Sequence, residues 1–393
     1  MAQAATAQTP SFGASEAVSD CHCQVYNGPP SGFPRTLVSP LAWGPDDVLS
    51  GDYKGTRLNL NADEVCEIQR ALDLFRNSEL EMHALSPETF PLPSLGGRLH
   101  EFAKALHRGY GFFTIRGLEP CKFTSTENIV IHVGIASHIG DKRALQQNYS
   151  SPEPEALLHV CDVKQRGDSI QEDVFLAPGN ESIAVGFHSD NGDNVSLYCW
   201  QTADEGGELY LSSAWKVYNE LAFKYPAVLH VLAEPWLWQD SRTGDKQLRS
   251  HLAPLIYFVD GKLVVNYQKR PLRGSRQEAR DRRLAPLSRE QEAALAVFDR
   301  VTAENAISLK QEPGDMHFFN NLALLHARSA FRDGPEAAAQ RHLTRLIFRN
   351  SDLGWKIPSL MLSDWGKYYD HPRDIEMFPE RPHPWAFSLN GHD

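Results

Sequence analysis

Of the sixteen histidines in this sequence, only His188 has an acidic residue two places on, Asp190, in the run GFHSDNGDN. A His-x-Asp pair is common by chance, so its surroundings must decide its meaning. In an extended chain Ile183, Val185 and Phe187 share one face, and Ser182, Ala184, Gly186 and His188 share the other. The small residues on the His188 face leave open space beside the imidazole, where a packed core histidine would have bulk. Asn191-Gly192 breaks the strand at the point where Asp190 can turn toward the same place as the ring.

Two ligands do not make a catalytic metal site, and the third must come from elsewhere in the chain. The best candidate is His326, in EPGDMHFFNNLALLHARSAF, on a strand that follows a Pro-Gly-Asp turn. Arg328, two residues on, shares its face and can line the same cavity. His317 is the rival, but its neighbours Met316, Phe318 and Phe319 mark it as a packed core residue. Two histidines and one carboxylate on one face of an octahedron form the site of non-haem Fe(II) oxygenases, with open positions for a cosubstrate and O₂. The mixed N/O donor set alone leaves zinc open, although zinc prefers a tetrahedral site. In RHLTRLIFRN, Arg341, Leu343, Arg345 and Ile347 share a strand face, which sets two guanidiniums about 13 Å apart at their Cα atoms. Buried arginines are rare without partners, so this face predicts a carboxylate ligand. The Cys21-His22-Cys23 run has no second half to complete a metal site, and the six cysteines read as free thiols.

Positioning these groups requires strands. Ile183–His188, Asn194–Trp200, Glu208–Ser213, Met316–Phe319, Ala323–Arg328 and Arg341–Phe348 are short β-rich runs separated by turn residues. GFFTIRGL (111–118) reads as another. Helices are expected over Glu64–Asn77, with Asp63 as N-cap, over Leu95–His107, and over Pro286–Ile307, which Ser288 and Gln291 open as a capping box. The fold class is therefore α+β, an antiparallel barrel or jelly roll decorated by helices. Residues 1–20 read as a disordered tail. The segment from Asn27 to Gly51 reads as a connector anchored by Trp43, and 21–393 as one domain, because ligands at 188, 190 and 326 must converge.

The chain has 393 residues and a net charge of −11 (39 Lys+Arg, 50 Asp+Glu), with 41% hydrophobic residues. That composition supports a sizeable core and argues against a nucleic-acid partner, which would need surplus cations. The one basic cluster, seven Lys/Arg in Lys269–Arg283, reads as a solvated face or an anion-attracting rim. No segment has the length of a membrane-spanning helix or the pattern of a secretory signal, so the expected location is cytoplasmic.

With His188, Asp190, His326 and Arg341 assembled, the sequence resembles the TauD/TfdA family of Fe(II)- and 2-oxoglutarate-dependent dioxygenases, clavaminate-synthase-like members included. Three blocks carry the resemblance: GFHSDNGDNVSLYCWQTADEGGELYLSS, PGDMHFFNNLALLHAR and RHLTRLIFR. It implies a double-stranded β-helix in which His188, Asp190 and His326 ligate Fe(II) and Arg341 binds the distal carboxylate of 2-oxoglutarate. Arg345 falls where relatives often place a second anion-handling arginine near cosubstrate or substrate. The implied reaction uses O₂ to oxidise an unactivated C–H bond by hydroxylation, desaturation or oxidative cyclisation. Phe187, Asn191 and Arg328 are the candidate contacts to a small anionic or zwitterionic substrate such as an amino acid, with natural-product tailoring as the context. One position departs from the pattern: relatives often follow Gly-Gly-Asp/Glu with Thr or Ser, whose hydroxyl helps hold the same carboxylate, whereas Gly206-Gly207-Glu208 is followed by Leu209. That departure keeps in view an iron enzyme that does not use 2-oxoglutarate; the other alternative is a non-catalytic jelly roll that binds small anions at the same site.

Overall fold

Asn194–Gln201 is buried along almost its whole length, so both of its faces must meet apolar partners. Val195, Leu197 and Cys199 point into one hydrophobic cluster, and Tyr198 and Trp200 into a second. His342–Arg349 divides the same way, with Leu343 and Ile347 on the first side and Leu346 and Phe348 on the other. A sheet covered on both faces, with strands this apolar, sits between two layers.

The computed structural model describes residues 26–49, 56–146, 154–164, 176–240, 248–274 and 279–382. The tail at 1–20, the Cys21-His22-Cys23 run and part of the basic cluster lie outside them. The large sheet runs in the order Arg57–Asn59, Phe112–Arg116, Met316–Asn320, Asn194–Gln201, His342–Arg349, Lys142–Arg143, and Leu157–Val160 also pairs with His342–Arg349. The small sheet runs Ala306–Leu309, Leu209–Ser213, Leu324–Arg328, Val185–His188. All pairings within them are antiparallel except that of Arg57–Asn59 with Phe112–Arg116. The inner faces of the two sheets share one core, which is a jelly roll. Helices Ala62–Asn77, Leu95–Arg108 and Ser125–Ser137 cover the outer face of the large sheet, while Ala214–Lys224, Pro226–Ala233 and Arg289–Glu304 pack around the other core.

Most expected elements are present, with instructive shifts. The first long helix starts at Ala62 and is capped by Asn61, not Asp63. Asn61 and Glu64 satisfy each other's backbone N–H groups in a capping box, and this leaves Asp63 in the first turn, where the helix dipole favours an acid. The Ser288/Gln291 capping box forms as expected, ahead of Arg289–Glu304. The triad strand begins at Val185, two residues later than its apolar pattern. The carbonyls of Glu181 and Ile183 accept from the Arg328 guanidinium, and the ladder shifts register between His326 and Arg328. Ser125–Ser137 was not anticipated: nine of its thirteen residues are buried, so no polar stripe reveals its period. His132, in its middle, bonds both Thr344 Oγ1 and Ser196 Oγ at 2.8 Å and pins the helix to the back of the large sheet. Trp43 anchors the connector as expected, buried and donating from Nε1 to the Tyr110 carbonyl.

Candidate metal centre

His188 and His326 stand directly opposite one another on paired strands of the small sheet. Such cross-strand neighbours have Cβ atoms about 5 Å apart, and here the rings lie 4.1 Å apart at 44°. The chain reverses just after His188. Ser189 makes two bonds with Tyr267, each 2.8 Å: its N–H donates to the Tyr267 carbonyl, and its Oγ accepts the Tyr267 N–H. Asn321 then holds the turn from the other side: its Oδ1 accepts the Asp190 N–H, and its Nδ2 donates to the carbonyls of Asp190 and Gly192, all at 2.7 Å. Gly192 closes the turn with φ +130°, and a Cβ there would lie 2.3 Å from Ile347 Cγ2. These constraints return Asp190 toward the rings, with Oδ1 3.8 Å from His188 Nε2 and Oδ2 3.7 Å from His326 Nε2.

The protonation states suit a cation. His188 gives its Nδ1 hydrogen to the Gly186 carbonyl at 2.9 Å, which fixes the tautomer and turns the Nε2 lone pair toward Asp190. Burial holds both imidazoles neutral. It lowers His188 against the pull of Asp190, and it takes His326 down to about 3 with the help of His188. Burial would raise Asp190, but Arg345 and the two histidines outweigh it, so the carboxylate stays ionised below its usual range. Neutral imidazoles and an ionised carboxylate are the forms that bind a metal. Donors about 2.1 Å from a common ion lie no more than about 4.2 Å apart, and the carboxylate-to-imidazole distances meet that test. Among the described residues this is the one group of three or more His, Cys, Asp or Glu that converges in this way.

The arginines separate into three roles. Arg345 Nη1 pairs with Asp190 Oδ2 at 2.9 Å and its Nε donates to Gln146 Oε1 at 3.0 Å, so it braces the carboxylate of the triad. Arg328 is buried, and its Nη2 donates to the carbonyls of Pro178, Glu181 and Ile183, so it ties down the entry to the triad strand. Arg341 is also buried, over the Phe331 ring, but its Nη1 has no hydrogen-bond partner among the described residues. It lines a cavity of about 160 Å³ beside Cys199, Gly207 and Leu343. An unpaired buried guanidinium nitrogen is costly, and a carboxylate ligand would satisfy it.

The substrate candidates are also distributed. Phe187 lies in the core, and Asn191 is exposed and accepts from Gln268 Nε2 at 2.6 Å. His317 is buried and bonded to Thr114 Oγ1 at 2.9 Å, a packed residue as expected. Lys269 was not singled out within the basic cluster. Its Nζ sits 3.5 Å from where a Gly186 Cβ would be, beside the open His188 face, and it pairs with Asp299 at 2.8 Å. The glycine opposite it was the available signal. Asn321 and Gln146 were also missed, because an amide that bonds backbone or an arginine from a distant segment leaves no local spacing to read.

Residues 78–347 match the family model described as "Taurine catabolism dioxygenase TauD, TfdA family". The chain is 35% identical over 332 residues to "Taurine hydroxylase-like protein SAT17" of Stachybotrys chartarum, covering 84% of each chain. It is 25% identical over 311 residues to "FR-33289 synthase" of Streptomyces rubellomurinus, covering 76% of this chain and 87% of that one. Two solved structures share the fold. An asparagine oxygenase in complex with Fe(II), 2S,3S-3-hydroxyasparagine and succinate matches with a TM-score of 0.56 and 13% identity. The non-heme iron oxygenase OrfP in complex with Fe and alpha-ketoglutaric acid matches with a TM-score of 0.54 and 12% identity. Each match covers 75% of this chain and 94% of the other.

Proposed function

The chain belongs to the TauD/TfdA family of non-haem iron dioxygenases, and from that premise we propose that it oxidises a C–H bond of a small anionic or zwitterionic molecule, with 2-oxoglutarate as cosubstrate. His188, Asp190 and His326 hold Fe(II). Arg341 holds the distal carboxylate of 2-oxoglutarate. When bound, the metal and the 2-oxo acid supply O₂ activation, with one oxygen atom leaving in succinate as CO₂ is lost and the other available for the substrate. The protein's own work is to place the partners and keep water out.

The observation that carries this reading is the placing of three correctly protonated donors within reach of one ion, with the unpaired Arg341 nitrogen on the same strand as the arginine that braces Asp190. Asp190 supplies the third ligand and leaves no space for an anion in its place. Lys269 supports an acidic group on the substrate, because its ammonium has three donors and lies beside the small-residue face next to His188. An amino acid fits those requirements. A relative named as a synthase of the compound FR-33289 supports a place in secondary metabolism. Among the described residues no helix is long and apolar enough to cross a membrane. The net charge of −11 argues against a nucleic-acid partner.

Anaerobic addition of Fe(II) and then 2-oxoglutarate tests the proposal. A visible charge-transfer band from the chelate is expected, and succinate should be released once O₂ and an accepted substrate are added. Bound iron without the band would refute the 2-oxoglutarate reading. Iron binding unaffected by Asp190→Ala would refute the ligand assignment.

A further inference from the structure

Leu209, where a hydroxyl would be expected, is buried between two strands, paired with Leu309 on one side and Arg328 on the other. Two residues beyond Leu309, Gln311 lines the same cavity as Arg341. Its Nε2 is buried without a hydrogen-bond partner among the described residues, the same condition as Arg341 Nη1. Two unpaired donors on one cavity ask for one acceptor group. Other anionic side chains in the wall do not meet that need. Glu208 is hydrogen-bonded to Ser329, and burial pushes the Cys199 thiol up to about 12, so it stays neutral. Gly207 makes room, since a Cβ there would lie 2.9 Å from both Cδ and Nε of Arg341. The cavity, about 160 Å³, is many times the space one water needs, about 10–15 Å³. A carboxylate has two oxygens with about four acceptor sites, enough for a guanidinium and an amide together.

We infer that Gln311 joins Arg341 in binding the distal carboxylate of 2-oxoglutarate, supplying from the end of a neighbouring strand the second donor that Leu209 cannot. The inference rests on the cosubstrate reading given above. It makes Gln311 a residue that selects a dicarboxylic 2-oxo acid over a monocarboxylic one.

The test is anaerobic titration of the Fe(II)-loaded protein with 2-oxoglutarate and, separately, with 2-oxobutyrate, which lacks the distal carboxylate. Binding is read from the visible band and by calorimetry. A hydrogen bond to a charged group contributes about 1.5–3 kcal/mol, so Gln311→Leu should weaken 2-oxoglutarate about tenfold or more and leave 2-oxobutyrate within about twofold. Gln311→Glu, which sets a negative charge against the carboxylate, should weaken 2-oxoglutarate further. Gln311→Met serves as the second apolar variant if the leucine protein does not fold. Unchanged 2-oxoglutarate affinity in the apolar variants would overturn the inference, and so would equal losses for both acids. A wild-type protein that binds iron but not 2-oxoglutarate would instead refute the cosubstrate reading, an outcome that the variants are not needed to detect.

Discussion

Replacing Asn321 should damage the proposed iron site without touching any of its three proposed ligands. Its side chain makes three bonds of 2.7 Å to the turn that carries Asp190. Asn321→Ala leaves one backbone N–H and two carbonyls without partners. At the low end of about 1 kcal/mol for each buried polar group, the loss is about 3 kcal/mol, offset in part where water can enter. That free energy divides between global stability and the ordering of residues 190–192. If the whole of it fell on the turn, iron affinity would drop about a hundredfold, since about 1.4 kcal/mol is tenfold. Asn321→Asp sharpens the test. It keeps the shape, but it points a carboxylate oxygen at two carbonyl oxygens and adds a charge beside Asp190, so it should be at least as damaging as alanine. Anaerobic Fe(II) titration, with urea midpoints of the metal-free proteins, separates the two shares. Wild-type iron affinity and an unchanged midpoint in both variants would refute the claim that Asn321 positions the carboxylate.

Gly192→Ala should yield a protein of markedly lower stability, by about 1–3 kcal/mol from overpacking alone, because its Cβ would overlap Ile347 at φ +130°; a thermal midpoint equal to wild type would contradict the contact. Lys269→Met should raise KM for an acidic substrate about tenfold while 2-oxoglutarate affinity stays constant, and loss of both together would place Lys269 elsewhere in the mechanism. Stability should fall on acidification. Burial lowers His132 to about 3 and His317 to about 4, so the unfolded chain, with histidines near 6.5, takes up protons first, and stability declines from about pH 6.5 toward pH 4. Urea midpoints across that range check the sign, and His132→Asn should flatten the slope; a steeper slope in the variant would refute the assignment.

The triad was legible because its information is local in two places. His188-x-Asp190 is followed by Asn191-Gly192, which announces a turn, and His326 lies on a strand whose apolar pattern is plain. The fold class followed from the same alternation of short strands and turns. What the sequence left unread depends on distant pairs. The jobs of Arg345 and Arg328 cannot be separated by spacing, since each shares a face with other candidates. Only the fold brings Arg345 to Asp190 and Arg328 to the carbonyls of Glu181 and Ile183. Asp63 looked like a cap because an acid before an apolar run is a good one. Asn61 won because Glu64 stands three residues after it.

One strand shows how rigidity and chemistry are combined. On His342–Arg349, Arg345 faces inward to Asp190 while the adjacent Thr344 faces outward to His132. The inner face of that strand carries Arg345, whose buried charge depends on keeping Asp190 as its partner, so the strand cannot be allowed to shift. Its outer face is fastened by a helix with almost no exposed surface, through the buried His132 that also holds Ser196 on the neighbouring strand. A shift of the strand that took Arg345 away from Asp190 would therefore also break a buried imidazole's bonds on the opposite side. A protein of net charge −11 can in this way hold Arg341 and Arg345 in its interior. Arg345 is neutralised by the Asp190 carboxylate, and Arg341 keeps a nitrogen without a hydrogen-bond partner among the described residues.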